Sequence, residues 1–175
     1  LTVALIAGYL LFDVIQLRVE AWINPWLDPR NRSYQIIQSL IAVANGGLFG
    51  RGLGLGNPGV VPVAHSDFIF TALLEEYGVA GGMILVGVYS LFTIRGLTIA
   101  LRAPNQFQRF LAAGLTTYLA TQSILIMGGT LRLFPLTGVT LPFISYGGTS
   151  LVVSMAALLL LLIISNHIDE NSAAI

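Results

Sequence analysis

The sequence predicts an all-α membrane protein that crosses the bilayer several times. Of its 175 residues, 55% are hydrophobic and only 9% are charged, whereas about a quarter of the residues of soluble domains are charged. Long apolar runs recur without the alternating pattern of a membrane barrel, so the spans are predicted to be helices with internally satisfied backbones. We expect a polytopic domain of about four transmembrane helices with a large structured extracytoplasmic loop.

Each predicted span is long enough to cross roughly 30 Å of hydrocarbon. The spans are predicted at 1–17, 68–94, 110–131 and 139–165. They are joined by an extracytoplasmic loop at 18–67 and a cytoplasmic loop at 95–109, and followed by a cytoplasmic tail at 166–175. The loop at 95–109 is placed inside because it carries three arginines and no acid. The chain opens on Leu1 within an apolar run, so we expect the C-terminal part of a longer protein and no signal peptide.

Charge and cysteine content exclude several classes of function. The net charge is zero and all eight basic residues are arginine, which gives no electrostatic basis for binding nucleic acid. Cysteine is absent, so disulfides and thiolate metal sites are excluded. No cofactor motif is present. A divalent cation held through Asp and Glu oxygens stays open, although no ligand spacing predicts one.

The long loop is predicted to be structured. "INPWLDP" (23–29) combines prolines and turn formers with Trp26, which is typical of a rigid interfacial turn. The segment 33–47 predicts a short amphipathic helix at the interface, with Ser33 able to cap its start and Gly46 or Gly47 able to end it. The apolar residues at helical spacing are Ile36, Ile37, Leu40, Ile41 and Ala44.

Glycines follow this predicted helix closely. "GLGNPG" (54–59) formally fits a dinucleotide-binding pattern, but no strand or βαβ unit surrounds it and Pro58 interrupts it. We therefore reject a dinucleotide site. The glycines are expected to let the backbone pass close to helices or substrate.

Acidic residues cluster where the second span begins. "HSDFIF" (65–70) places His65, Ser66 and Asp67 at the membrane face, where an ionisable group suggests function. Two readings of Asp67 stay open from the residues alone: a functional carboxylate, or a helix cap. Glu75 and Glu76 are either ordinary first-turn acids favoured by the helix dipole or residues with a function of their own.

A second unusual stretch opens the fourth span. "LFPLTGVTLPFISYGGTSL" (133–151) holds helix breakers such as Pro142, Gly147 and Gly148 among several hydroxyls. Irregular backbone at membrane depth is tolerated where it is buried in protein or lines a cavity. The stretch is therefore predicted to line something polar, with close helix packing through small residues as the alternative.

These blocks together resemble a known family. "HSDFIF…EEYG", the motif around "LPFISYGGTSL", "NPWLDPRNRSYQIIQSL" and "GGLFGRGLG" are similar to the ordered signatures of the SEDS proteins (shape, elongation, division and sporulation), the RodA, FtsW and SpoVE type. The resemblance implies a ten-span protein of the bacterial inner membrane, of which this chain is roughly the last four spans. It implies a peptidoglycan glycosyltransferase that polymerises lipid II beside a class B penicillin-binding protein.

The resemblance also assigns roles to residues. It implies that Asp67 is the catalytic acid, acting as general base on the acceptor hydroxyl. The leaving diphosphate needs positive charge or hydrogen-bond donors. The candidates for this and for other substrate contacts are His65, Ser66, Arg51, Arg132, Thr137, Ser145, Tyr146, Gly147 and Gly148.

The chain departs from the family pattern at two places. Thr137 stands where division-type members often carry a lysine, which favours the elongation type or a divergent branch. Val63 stands where many members have a glutamate before the histidine, which removes a second acid. The alternative functions are a flippase or transporter of a lipid-linked sugar, whose ionisable groups should lie near the membrane midplane, and a non-catalytic scaffold of the division or elongation machinery.

Overall fold

The computed structural model describes residues 12–28, 33–56 and 66–173, and its regular structure across these ranges is helical. The helices are α1 (Asp13–Ile23), α2 (Tyr34–Gly46), α3 (Ile69–Arg102), α4 (Gln106–Thr130) and α5 (Gly148–Ala173), with a 3-10 turn at Pro25–Leu27. The predicted first span at 1–17 falls mostly outside the described residues. His65 also lies outside them.

Three helices are long and apolar enough to cross a membrane. They are α3 with 34 residues, α4 with 25 residues and the first 21 residues of α5, Gly148–Ile168. At about 1.5 Å per residue, each reaches or exceeds the roughly 30 Å of a bilayer core. The predicted polytopic helical fold is confirmed.

The second predicted span and the loop after it need correction. Helix α3 does not end at residue 94 but continues to Arg102, and α4 already begins at Gln106. The predicted loop at 95–109 is therefore only the short connection 103–105. Arginine is a good helix former whose long stem lets its charge reach water, so the first arginine does not mark the helix end. The helix stops where Ala103 adopts the extended conformation (φ −60°, ψ 130°) that a following proline favours.

The fourth predicted span also needs correction. Helix α5 starts at Gly148 rather than at residue 139, and it continues to Ala173 through most of the predicted tail. The preceding segment stays irregular because it contains Pro142 and because Gly138 and Phe143 have φ values of 71° and 67°. A right-handed helix cannot include such residues.

Helix α2 confirms the predicted short helix between Ser33 and Gly47. The predicted C-terminal end is confirmed, but the predicted side-chain cap at the N-terminal end is not formed. Gly47 ends the helix with a φ of 55°, but the Ser33 side chain makes no capping hydrogen bond. The buried face is also shifted from the predicted one, because Ile41 is 43% exposed while Ala42 and Gly46 are buried. Small residues face α3 at this crossing, and a Cβ on Gly46 would overlap the α3 backbone.

Helix α3 is broken at Gly78, which has φ 69° and ψ −172°. The break leaves backbone groups of α3 without helical partners. The segment after α2 supplies replacements: the Val79 N–H donates to the Gly47 carbonyl at 2.9 Å, and the Ala80 N–H donates to the Leu48 carbonyl at 3.1 Å. The break is therefore bridged on its C-terminal side by the loop.

The same loop bridges the N-terminal side of the break. The Arg51 N–H donates to the Glu75 carbonyl and the Gly52 N–H to the Glu76 carbonyl, both at 3.0 Å. A Cβ on Gly50 would overlap the Glu76 carbonyl. The loop backbone thus lies directly against α3, as the glycines of this region predict.

The long helices pack on one another at both ends. Near the start of α3, a core cluster comprises Phe70, Leu74, Ile126, Met127 and Leu141. Near the end of α3, a second cluster comprises Ala100, Ala112, Leu161 and Ile164. The first cluster includes Leu141 from the irregular segment, so it fixes that segment against α3 and α4.

Replacing Gly78 by alanine is expected to destabilise the protein. A non-glycine residue in this conformation, which is almost restricted to glycine, costs about 1–3 kcal/mol, and the new Cβ would overlap Gly50 and Leu48. We expect the melting temperature of the full-length protein in detergent to fall by about 4 °C or more. Gly87→Ala is the matched control, because a Cβ there meets nothing within 4 Å. Equal melting temperatures for the two variants would contradict a structural role for the break.

Candidate active site

Asp67 lies in the turn that leads into α3. The helix begins at Ile69 and its N-cap residue is Phe68, with no side-chain capping hydrogen bond. The half-buried Asp67 carboxylate instead accepts a hydrogen bond from the Ser66 hydroxyl at 3.0 Å. The structure therefore contradicts the alternative in which Asp67 is the cap of its own helix.

Ser145 connects the irregular segment to this turn. Its buried hydroxyl donates to the Ser66 carbonyl at 2.7 Å and accepts from the Leu141 N–H at 2.8 Å. Two stretches that are far apart in sequence, 66–67 and 141–145, consequently lie side by side. The turn that carries Asp67 is held by a side chain from the Pro- and Gly-rich stretch.

The irregular segment itself is held by polar contacts from the long helices. Tyr89 donates its hydroxyl to the Pro142 carbonyl, and the Gln122 Nε2 donates to the Thr140 carbonyl at 2.8 Å. The Thr140 hydroxyl donates to the Ser150 hydroxyl at 2.6 Å. The segment is thus embedded in protein, which is one of the two settings in which a membrane tolerates irregular backbone.

The other candidates from this stretch are more exposed. Tyr146 is 80% exposed. Thr137 is exposed as well, and its carbonyl accepts a hydrogen bond from Arg18. Gly147 accepts the Leu151 N–H at 2.9 Å, and Gly148 opens α5. A helix start presents unpaired N–H groups and partial positive charge, which can bind an anion.

Arg132 is held by α1. Its Nε donates to the Trp22 carbonyl and its Nη2 to the Ile23 carbonyl, both at 2.7 Å. In return, the Trp22 indole donates to the Arg132 carbonyl at 3.0 Å. The guanidinium therefore satisfies carbonyls at the end of α1, which argues against Arg132 as the ligand of a diphosphate.

Arg51 forms an ion pair with a buried carboxylate. Its Nη1 lies 3.3 Å from Oε1 of Glu75, and the two side chains are 45% and 4% exposed. The Glu76 carboxylate accepts from the Gly54 N–H at 3.3 Å. Both glutamates therefore hold the glycine-rich loop. The first-turn interpretation of this pair is wrong, because α3 begins at Ile69 and its first turn contains no acid.

Arg18 holds the irregular segment, and sequence reasoning missed this role. Its Nη1 donates to the Thr137 carbonyl at 2.7 Å and to the Leu136 carbonyl at 3.2 Å. Gly138 packs against this guanidinium. A Cβ added to Gly138 would lie only 3.2 Å from Nη2 of Arg18. An arginine at the end of a span gives no sequence signal for such a contact with residues more than a hundred positions away.

No group of three or more His, Cys, Asp or Glu side chains that could hold a metal ion occurs in the described part of the chain. The candidate site there brings the Asp67 carboxylate together with the Ser66 and Ser145 hydroxyls and the backbone of the irregular segment. Such a set can accept a proton and donate hydrogen bonds to an anion.

A family model described as cell cycle protein, covering FtsW, RodA and SpoVE, matches residues 1–170. The chain belongs to this family. Its resemblance to the SEDS proteins is thereby confirmed, and the matched region includes Asp67, Ser145 and the irregular segment.

Curated members of the FtsW/RodA/SpoVE family are similar over most of the chain. The peptidoglycan glycosyltransferase RodA of Mycobacterium tuberculosis (strain H37Rv) is 44% identical over 161 residues, which is 92% of this chain and 34% of that protein. The probable peptidoglycan glycosyltransferase FtsW of Geobacter metallireducens is 43% identical over 157 residues, 89% of this chain and 42% of that protein. Stage V sporulation protein E of Bacillus subtilis is 43% identical over 152 residues, which is 86% of this chain and 42% of that protein.

A solved structure has the same fold. It is described as "Structural coordination of polymerization and crosslinking by a peptidoglycan synthase complex", and it matches with a TM-score of 0.73 at 29% identity, covering 95% of this chain and 46% of that one. This chain therefore spans less than half the length of these relatives.

Removing the Ser145 hydroxyl should loosen the turn that carries Asp67. Ser145→Ala leaves the Leu141 N–H and the Ser66 carbonyl without this partner, at a cost of about 1–3 kcal/mol. We expect a melting temperature lower by several degrees for the full-length protein in detergent. Ser90→Ala is the control, because the exposed Ser90 hydroxyl donates to the Val86 carbonyl of its own helix and anchors no other described segment. A loss no greater than that of the control would contradict the anchoring role.

The Arg51–Glu75 pair can be tested with a double-mutant cycle. Arg51→Gln and Glu75→Gln should each lower the free energy of unfolding. The double variant should lower it by less than the sum of the two single losses. The expected coupling is about 0.5–3 kcal/mol, measured by thermal unfolding of the full-length protein. Additive losses would show that the two side chains act independently.

Proposed function

We propose that the full-length protein is a peptidoglycan glycosyltransferase that polymerises lipid II, with Asp67 as general base. The observation that carries the proposal is the position of Asp67. Its half-buried carboxylate lies at the start of a membrane-spanning helix, in a turn fixed by Ser145. The relatives named as peptidoglycan glycosyltransferases support the reaction class.

The location suits a lipid-linked substrate. Lipid II keeps its undecaprenyl tail in the bilayer and presents its sugars at the surface. A base at the mouth of a spanning helix meets those sugars without entering the hydrocarbon, where a charge is costly. We place this face on the outer side of the bacterial inner membrane.

The reaction needs one proton acceptor and stabilisation of one leaving group. The acceptor 4-hydroxyl transfers its proton to the Asp67 carboxylate as its oxygen bonds to the anomeric carbon of the donor. The bond from that carbon to the diphosphate oxygen breaks, and undecaprenyl diphosphate leaves. Donors for the departing diphosphate are the start of α5 at Gly148 and the Arg51 guanidinium, which is 45% exposed despite its ion pair.

A class B penicillin-binding protein is the proposed partner. A polymerase makes strands that a transpeptidase then crosslinks. The similar solved structure is described as a peptidoglycan synthase complex that coordinates polymerization and crosslinking. That description supports a partnership of this kind for the present chain.

A flippase is less well supported. Transport coupled to ions or protons is expected to place ionisable groups near the membrane midplane. The sequence from residue 79 to residue 168, which includes most of α3, all of α4 and the spanning part of α5, contains no Asp or Glu. Asp67 lies at the end of a span instead, where an enzyme acting on surface sugars needs it.

Asp67→Asn is the deciding variant. We expect glycan polymerisation to fall by about 10²–10⁴-fold, because the amide cannot accept the proton. The measurement uses the full-length protein reconstituted with its cognate transpeptidase and labelled lipid II, with glycan chains resolved on a gel. Asp13→Asn, the same chemical change at an exposed position of α1, should keep wild-type activity.

Each alternative gives a different result in that experiment. Normal polymerisation by Asp67→Asn would overturn the general-base assignment. Translocation of labelled lipid without polymer would identify a flippase. Absence of both activities in the wild type, with normal recruitment of the transpeptidase, would identify a scaffold.

A further inference from the structure

A polar groove lies between α3 and α5, at the end of α3 opposite Asp67. Its volume is about 260 Å³. The residues that line it are Arg95, Thr98, Ile99, Arg102, Ser165 and Ile168. Helix α3 has 34 residues, or about 50 Å at 1.5 Å per residue, so the groove and Asp67 face opposite sides of a membrane.

The two arginines of the groove share one side of α3. Arg95 and Arg102 are seven positions apart, which is two helical turns, and both are exposed. Neither guanidinium forms an ion pair within the described residues. Arg109 lies in the first turn of α4, which begins at Gln106, so the connection between α3 and α4 is a positively charged region.

The remaining lining combines hydroxyls with apolar walls. The Thr98 hydroxyl donates to the Ile94 carbonyl at 2.7 Å, so its oxygen is held in a fixed position. Ile99 and Ile168 pack against the apolar cluster at this end of the helices. Neighbouring Leu101 is 70% exposed on the outside of α3. Charge and apolar surface therefore adjoin each other here.

We propose that this groove binds the phosphate of an anionic membrane lipid. Two guanidinium groups can hold phosphate oxygens through charge-assisted hydrogen bonds. The isoleucine walls and the exposed apolar surface of α3 suit the acyl chains of a lipid better than a free ion. A basic groove between transmembrane helices is a known kind of site for an anionic headgroup. The lipid would lie in the leaflet opposite the one that Asp67 faces.

Native mass spectrometry of the full-length protein in detergent tests this site. The probes are phosphatidylglycerol, phosphatidylcholine and inorganic phosphate. We expect phosphatidylglycerol to be retained in preference to phosphatidylcholine. Arg95→Gln/Arg102→Gln should weaken its apparent affinity by about 10- to 30-fold, given the usual contribution of a basic residue to anionic-lipid binding. The double variant should keep the wild-type melting temperature.

Arg109→Gln is the matched control. Arg109 is an exposed arginine at the same end of the helices, outside the groove lining. The affinity of this variant for phosphatidylglycerol should stay within about twofold of wild type, because salt largely screens exposed charges that lie farther apart than a Debye length, about 8 Å at 0.15 M. A loss equal to that of the double variant would mean diffuse charge attraction and would overturn the site.

Two further outcomes would also overturn the lipid assignment. Binding of inorganic phosphate that depends on Arg95 and Arg102, without lipid retention, would identify a site for free phosphate. The sequence continues from the groove into Asp169 and Glu170. If lipid were retained only by an Asp169→Asn/Glu170→Gln variant, the arginines would be partners of these acids in the wild type and not of a lipid.

Discussion

The site depends on a break in α3 at Gly78 and on the loop that bridges it. Within hydrocarbon, each unpaired backbone N–H or carbonyl costs several kcal/mol. The loop backbone from Gly47 to Gly52 satisfies groups on both sides of the break with four hydrogen bonds, two on each side. These four hydrogen bonds fix the positions of α2, the loop and the first part of α3 relative to one another. The Asp67 turn precedes that part of α3 directly.

The side chains around the break also hold the loop against α3. Glu75 lies in the second turn of α3 and pairs with Arg51 from the loop, while Glu76 accepts a loop N–H. Removing Arg51 is costly, because it takes a positively charged partner away from the buried Glu75 carboxylate. The charged pair thus reinforces a connection that the backbone has already made. On the other side of the site, Ser145, Tyr89 and Gln122 fix the irregular segment.

The sequence was sufficient for the fold class, the family and helix α2, because each rests on a pattern with a direct physical cause. Apolar runs of membrane length, helical spacing in 34–46 and four ordered motifs left little ambiguity. It was insufficient for the ends of α3 and α5, since arginine and serine are compatible with a helix on either side of the membrane boundary. It also could not reveal the contacts of Arg18 and Arg132. Those contacts depend on which backbone carbonyls from distant parts of the sequence lie within hydrogen-bonding distance in the fold. Composition and local pattern do not predict this.

The bridging of α3 by backbone groups has a consequence for how this region can vary among relatives. Hydrogen bonds between main chains do not depend on side-chain identity, and Leu48 and Phe49 point outward, 68% and 85% exposed. The four bonds do depend on the number of residues between Gly47 and Gly52, because an insertion would shift every partner by one position. The loop is therefore free to change Leu48 and Phe49, but not its length or its glycines, which have positive φ values. In an alignment of relatives, glycines at a conserved spacing would mark this loop, with variable residues between the first two of them.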